Sequence, residues 1–184
     1  VNRDWDPVDL LRHYRHDWLN HLQLIKGNLA LGKTERVEVL LDEIIQQAKN
    51  ESKLSNINGG LLAERLLTFN WEAHNFRLSF EVITDSCHLD TKEMEILHVT
   101  ERLLEWFDHH CYAGADNHLI FVINEAEGVP VIEFDFQGKL ITESVSISDL
   151  EQAVGPGEQV EIEEVAMGQE ECFIRLHFII EERL

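Results

Sequence analysis

Between residues 8 and 29 the apolar positions fall at Val8, Leu11, Trp18, Leu22, Ile25 and Leu29, and Arg15 fills the remaining step of an alternating 3-4 spacing. That spacing is the seam of a coiled-coil-type helix. Asp6-Pro7 supplies the start, a capping side chain followed by proline at the first helical position. Leu31-Gly32 supplies the stop, with Gly32 suited to a left-handed cap. Thr34 caps a second helix whose apolar face runs Val37, Leu40, Leu41, Ile44, Ile45 and Ala48. The connection is short, so the two helices are expected antiparallel, as a hairpin. Leu10, Leu24 and Leu31 make a second apolar strip away from the main seam. Two helices cannot bury both strips alone, and the economical solution is a homodimer in which two hairpins form a four-helix bundle.

The turn-rich Asn56-Ile-Asn-Gly-Gly60 marks a boundary that divides the chain into 1–58 and 59–184. Beyond it the pattern predicts a helix over 61–73 and a strand over 77–83, with alternation at Leu78, Phe80 and Val82. A long helix capped by Thr91 follows, to about His110. Strands over 118–123 and 129–136, a short helix over 148–154, and strands over 160–165 and 172–181 complete the chain. Helices and strands interleave around a largely antiparallel or mixed sheet, which makes this part a two-layer α/β sandwich and the whole chain α+β.

Charge narrows the range of partners. The 184 residues hold 15 Lys+Arg against 35 Asp+Glu, a net charge of −20. Residues 1–33 carry +1 and the remainder −21, so the first helix is where an acidic partner docks with least repulsion. Nucleic acid is an unfavourable ligand for so acidic a chain. No apolar run reaches the roughly 20 residues of a membrane-spanning helix. Val1-Asn-Arg-Asp-Trp-Asp6 lacks the apolar core of a signal peptide, and the missing initiator Met points to a trimmed chain. Cys87, Cys111 and Cys172 are scattered, without a CxxC pair, as expected of reduced thiols in the cytoplasm.

At 100° per residue, His16 lies about 130° around the first helix from the seam and faces solvent. Arg12, Asn20, Gln23 and Gly27 share its face, polar and uncharged apart from Arg12. Gly27 costs the helix about 1 kcal/mol relative to Ala, a cost that makes sense where another backbone approaches closely. A neutral imidazole is a good nucleophile near pH 7. By position alone, however, His16 is an exposed histidine on a bundle.

The stretch Arg15-His-Asp-Trp-Leu-Asn-His-Leu-Gln-Leu-Ile-Lys-Gly-Asn-Leu-Ala-Leu-Gly32 resembles the histidine box of the sporulation initiation phosphotransferase B family of endospore-forming bacteria. Similar boxes, of pattern H-D-x-x-N-x-L-Q-x-I-x-G, occur in citrate- and malate-type sensor kinases. Glu51-Ser-Lys-Leu-Ser-Asn56 and Leu67-Thr-Phe-Asn-Trp71 look like the sporulation family rather than the kinases. The resemblance is close over about the first 80 residues and holds in outline beyond.

It implies a phosphorelay: His16 accepts a phosphoryl group from the aspartate of one response regulator and passes it to a second. Arg15, Asp17 and Asn20 would flank the reacting centre, and Arg12 and Arg15 would offset charge on the regulators' acidic pockets. Mg²⁺ would be held by the regulator, with no cofactor on this chain. For Arg15 a covering role over the seam competes with partner contact. Asp17 could orient the imidazole, but an i+1 residue points elsewhere on a helix, and contact needs a bent rotamer.

In element order the second domain resembles the ATP-binding domain of histidine kinases, without its glycine loops. Asp135-Phe-Gln-Gly138 has a bulky Phe136 where a glycine is needed, and Gly155-Pro-Gly157 lacks a strand-to-helix context. Glu101-Arg-Leu-Leu-Glu-Trp-Phe-Asp108 stands where an asparagine motif would fall. The expectation is a degenerate domain that binds no nucleotide. A sensor-kinase fragment and a non-catalytic dimeric regulator of kinases remain as alternatives. His109-His110-Cys111 is a poor zinc site, because adjacent helical residues diverge.

Overall fold

The computed structural model describes residues 6–84, 89, 92–141, 145–155 and 159–179. It divides into two compact units, 1–49 and 50–184.

The first unit holds α1 (Pro7–Ala30) and most of α2 (Thr34–Asn56). The Asp6 side chain accepts from the Val8 amide at 3.0 Å, with Pro7 in the first turn. Gly32 adopts φ +69. Its amide bonds Leu29 O at 3.0 Å, and the Lys33 amide bonds Asn28 O at 2.9 Å. This is a Schellman cap, the stop that a glycine after the last turn predicts.

The second unit contains α3 (Gly60–Thr68), a 3₁₀ turn (Phe69–Trp71), β1 (Arg77–Val82) and α4 (Glu93–His110). These are followed by β2 (His118–Ala126), β3 (Val129–Gln137), α5 (Ile147–Val154), β4 (Val160–Met167) and β5 (Glu171–Phe178). The expected helix to Ala73 is thus shorter: the α-helix ends at Thr68 and tightens into the 3₁₀ turn. Thr91, the expected cap of α4, lies outside the described residues. The sheet is mixed, in order β1-β2-β3-β5-β4, with β1 parallel to β2 and the other pairs antiparallel. One face is buried at alternate positions, among them Leu119, Phe121, Phe134, Phe136, Ile174 and Leu176. Helix α4 covers that face, with Phe107 stacked on Phe136 at 5.1 Å between ring centroids. Leu150 and Val154 of α5 join the same core.

Both sheet edges are blunted. The exposed carboxylates Glu161, Glu163 and Glu164 line β4, where a bulge interrupts the ladder. On β1 the Asn70 side chain takes the place of a neighbouring strand. Its Oδ1 accepts from the Leu78 amide at 3.0 Å and its Nδ2 donates to the Leu78 carbonyl at 2.7 Å.

Candidate functional site: three faces of the first helix

No residue of α1 is fully buried. The half-buried ones are Asp9, Leu10, His13, His21, Ile25 and Asn28. By helical projection they cluster on one face, about 120° from the 3-4 seam. Apart from Ile25 the apolar residues of the seam stay open, from Trp18 at 41% exposed to Leu11 at 65%. Of the second strip only Leu10 is half-buried, with Leu24 and Leu31 exposed, so the single chain covers neither apolar strip and the more regular seam faces outward. Helix α2 shows the same division, with Val37 and Leu40 buried but Leu41 and Ile45 exposed.

The third face carries His16, with 71% of its side chain exposed. Two neighbours meet its ring at one nitrogen. Asp17 Oδ1 stands 3.4 Å from Nδ1 and Asn20 Nδ2 stands 3.3 Å from it. The bent rotamer that an i+1 contact requires is thus adopted. The two contacts suit opposite tautomers, since the carboxylate accepts from an Nδ1–H and the amide donates to an Nδ1 lone pair. With the proton on Nδ1, Nε2 keeps its lone pair.

The other expected site residues divide. Arg12 is bound within its own helix, Nη1 to Asp9 Oδ1 at 2.6 Å. Arg15 is exposed, belongs to the outward seam, and has no acidic partner among the described residues. Gln23 is exposed. At Gly27 an added Cβ would meet nothing within 4 Å, so nothing in the described chain requires a glycine there. Leu19, absent from the polar strip read in the sequence, lies about 60° from His16 on the helix surface and is 49% exposed.

In the second unit, the residues weighed as nucleotide or metal motifs have structural partners. Asp108 accepts from the Asn75 amide at 2.6 Å and lies 3.3 Å from His74 Nδ1. Asp135 sits within β3, and Gly138 packs against Asn117. Arg102 donates to Val154 O at the end of α5, and its guanidinium packs against Gly155. Lys92, buried at the start of α4, contacts Glu95 and Gln159. His109 and His110 bond back to Glu105 O and Trp106 O, each at 2.7 Å. Among the described residues no cluster of His, Cys, Asp and Glu has metal-site geometry. Burial pushes the Cys172 thiol up to about 12. Burial, with a smaller effect of Asp108, pushes Cys111 to about 11, so both are inert thiols.

The chain thus joins a helical hairpin with an exposed His16 to an α+β domain built on a mixed five-stranded sheet. Residues 3–57 match the domain described as sensor kinase SpoOB-type, alpha-helical, and residues 58–179 match sporulation initiation phospho-transferase B, C-terminal. The chain is 34% identical over 171 residues to sporulation initiation phosphotransferase B of Bacillus subtilis (strain 168), covering 92% of this chain and 88% of that protein. It belongs to the sporulation initiation phosphotransferase B family.

Among solved structures, the Acinetobacter baumannii histidine kinase AdeS aligns with 91% of this chain and 98% of its own, at 12% identity and TM-score 0.49. The Erythrobacter litoralis EL346 blue-light activated histidine kinase aligns with 100% of this chain and 63% of its own, at 15% identity and TM-score 0.46. No described helix is long and apolar enough to cross a membrane.

Proposed function

We propose that His16 carries a phosphoryl group between two response regulators in a sporulation phosphorelay. The observation that carries this reading is the one-sided occupation of the ring. Nδ1 is engaged by Asp17 and Asn20, while the exposed ring leaves Nε2 open to a partner. The relative in Bacillus subtilis is named a phosphotransferase.

In the forward step the Nε2 lone pair attacks the phosphorus of an aspartyl phosphate. The bond between phosphorus and the carboxyl oxygen breaks, and its electron pair returns the donor's carboxylate. The imidazole gains positive charge as the bond forms, and Asp17 at Nδ1 stabilises it. Loss of the Nδ1 proton leaves a neutral phosphohistidine whose Nδ1 can accept from Asn20. The second aspartate reverses these steps. Such a transfer needs in-line positioning and charge neutralisation more than covalent help. Mg²⁺ belongs to the regulator's acidic pocket, and no ATP is consumed by this chain.

The working unit is a homodimer in the cytoplasm. Its outward seams (Val8, Leu11, Trp18, Leu22 and Leu29, with Leu41 and Ile45 of α2) cover one another as a four-helix bundle. Light scattering should give twice the chain mass, and Leu22→Asp should reduce it to the single-chain mass.

The decisive test uses labelled phosphate. A receiver domain charged on its aspartate should label the wild-type chain and leave His16→Ala unlabelled. Labelling from ATP alone would show a kinase instead. Labelling of His16→Ala by the donor would remove the site assignment.

A further inference from the structure

Two asparagines within helix α1 place their amides differently. Inside a helix Asn is a poor former, because its side chain competes for backbone groups, and a common resort is the carbonyl four residues back. Asn28 takes that resort, with Nδ2 donating to Leu24 O at 2.9 Å. Asn20 instead brings Nδ2 to 3.3 Å from Nδ1 of His16, also four residues back. An exposed position where better helix formers would fit thus holds an amide aimed at the reactive ring.

The two neighbours of Nδ1 serve different states of that ring. A carboxylate only accepts, so Asp17 serves a ring with a proton on Nδ1. An amide N–H donates, so Asn20 serves a bare Nδ1 lone pair. Once Nε2 bears a phosphoryl group, the bare lone pair marks the neutral phosphohistidine, and the difference decides how the group leaves. From the neutral ring, breaking the P–Nε2 bond expels an imidazolate, a poor leaving group. With a proton on Nδ1, the electron pair of that bond stays on Nε2 and the ring departs as neutral imidazole. Facing the ring from its own helix are Arg12 and His13 one turn earlier and Asp17 beside it, and Arg12 is held by Asp9 at 2.6 Å. An N–H directed at the lone pair competes with a proton for it, and Asn20 is placed to supply that N–H.

We propose that Asn20 sets the lifetime of the phosphoryl group on His16, as a positioning residue whose amide holds the loaded ring neutral until an acceptor arrives. This rests on the phosphotransfer reading above and adds control of retention to it. In the loaded chain the amide donates to Nδ1, and loss to water is slow. When a proton reaches Nδ1, Asp17 accepts the new N–H, and the phosphorus passes to an incoming oxygen. That oxygen belongs to a regulator's aspartate or, unproductively, to water, which yields inorganic phosphate.

The test loads the whole chain with labelled phosphoramidate, from which Nε2 takes the phosphoryl group as ammonia leaves. Loss of label from the His16 peptide is then followed across pH with no regulator present. Asn20→Ala should shorten the half-life at pH 7 about threefold, the order of one exposed hydrogen bond. It should also move the acid limb of the rate profile to higher pH. Asn20→Asp, which sets a second carboxylate beside Nδ1, should shorten the half-life about tenfold. Asn20→Gln keeps an amide and should restore part of the wild-type lifetime. Circular dichroism should show undiminished helix in Asn20→Ala, since alanine is the better helix former. Equal half-lives in wild type and Asn20→Ala would overturn the proposal. So would slower loading with an unchanged lifetime and pH profile, which would leave Asn20 only orienting the free ring. Labelling of His16→Ala by a charged receiver domain is a separate outcome, and it removes the phosphotransfer reading whatever the lifetime.

Discussion

The carboxylate of Asp17 lies 3.4 Å from Nδ1 of His16, although the two residues are adjacent in a helix. Removing it should slow phosphohistidine formation by about tenfold, at the lower end of what a hydrogen bond to a charged group contributes. Asp17→Asn and Asp17→Glu give the contrast. Rapid-quench measurement across pH should show a changed profile for the amide, and partial rescue by the longer carboxylate. A purely structural role would instead shift helix content, which circular dichroism reads.

Gly27 separates stability from transfer. Because an added Cβ meets nothing within 4 Å, Gly27→Ala should stabilise the hairpin by about 0.5–1 kcal/mol through helix propensity. The same change should slow transfer from a receiver domain, where the open surface is used. Thermal unfolding and labelling rate are therefore expected to move in opposite directions.

Gly155 and Arg102 form a coupled pair in the second unit. Gly155 has φ +94, and a Cβ there would stand 2.9 Å from both terminal guanidinium nitrogens. Gly155→Ala should destabilise by about 1–3 kcal/mol, from backbone strain together with displacement of Arg102. Adding Arg102→Ala should leave the backbone part and relieve the steric part, so a double-mutant cycle in urea should give a non-zero coupling.

The two buried thiols predict an alkaline weakness. Their folded values, about 11 for Cys111 and about 12 for Cys172, lie above the value of roughly 8.5 for a solvated thiol. The folded state therefore holds protons that the unfolded chain gives up. This contribution is complete below about pH 8.5 and is lost as pH rises toward 11 and 12. Unfolding midpoints between pH 8 and 10 should fall, and the slope should flatten in Cys111→Ala/Cys172→Ala. Thiol reagents at pH 8 should label both only after denaturation.

Most elements were legible because their signals are local. Asp6-Pro7, Gly32 and the alternation in Arg77–Val82 each act within a few residues, and each forms as its chemistry requires. The orientation of α1 was not legible. The face that the single chain shelters carries Asp9, His13, His21 and Asn28 beside Leu10 and Ile25, and apolar spacing does not reveal a face that is mostly polar. The motif singles out His16, whereas the rotamer that brings Asp17 to Nδ1 depends on side-chain torsions that spacing does not encode. The capping box of α5, Ser146 with Asp149, is a sequence signature that was available.

Asn70 bears on how this protein behaves at the high local concentrations reached during synthesis. A parallel edge strand with free amides and carbonyls is a template for a second chain, and here one side-chain amide occupies the Leu78 station. Without it, the same apolar strand that completes the fold would offer itself to neighbouring molecules. Asn70→Ala should therefore reveal itself less in the melting temperature than in the lag time of fibrillar or amorphous assembly. A residue that neither lines the core nor approaches the histidine would then govern how much of the protein remains in solution.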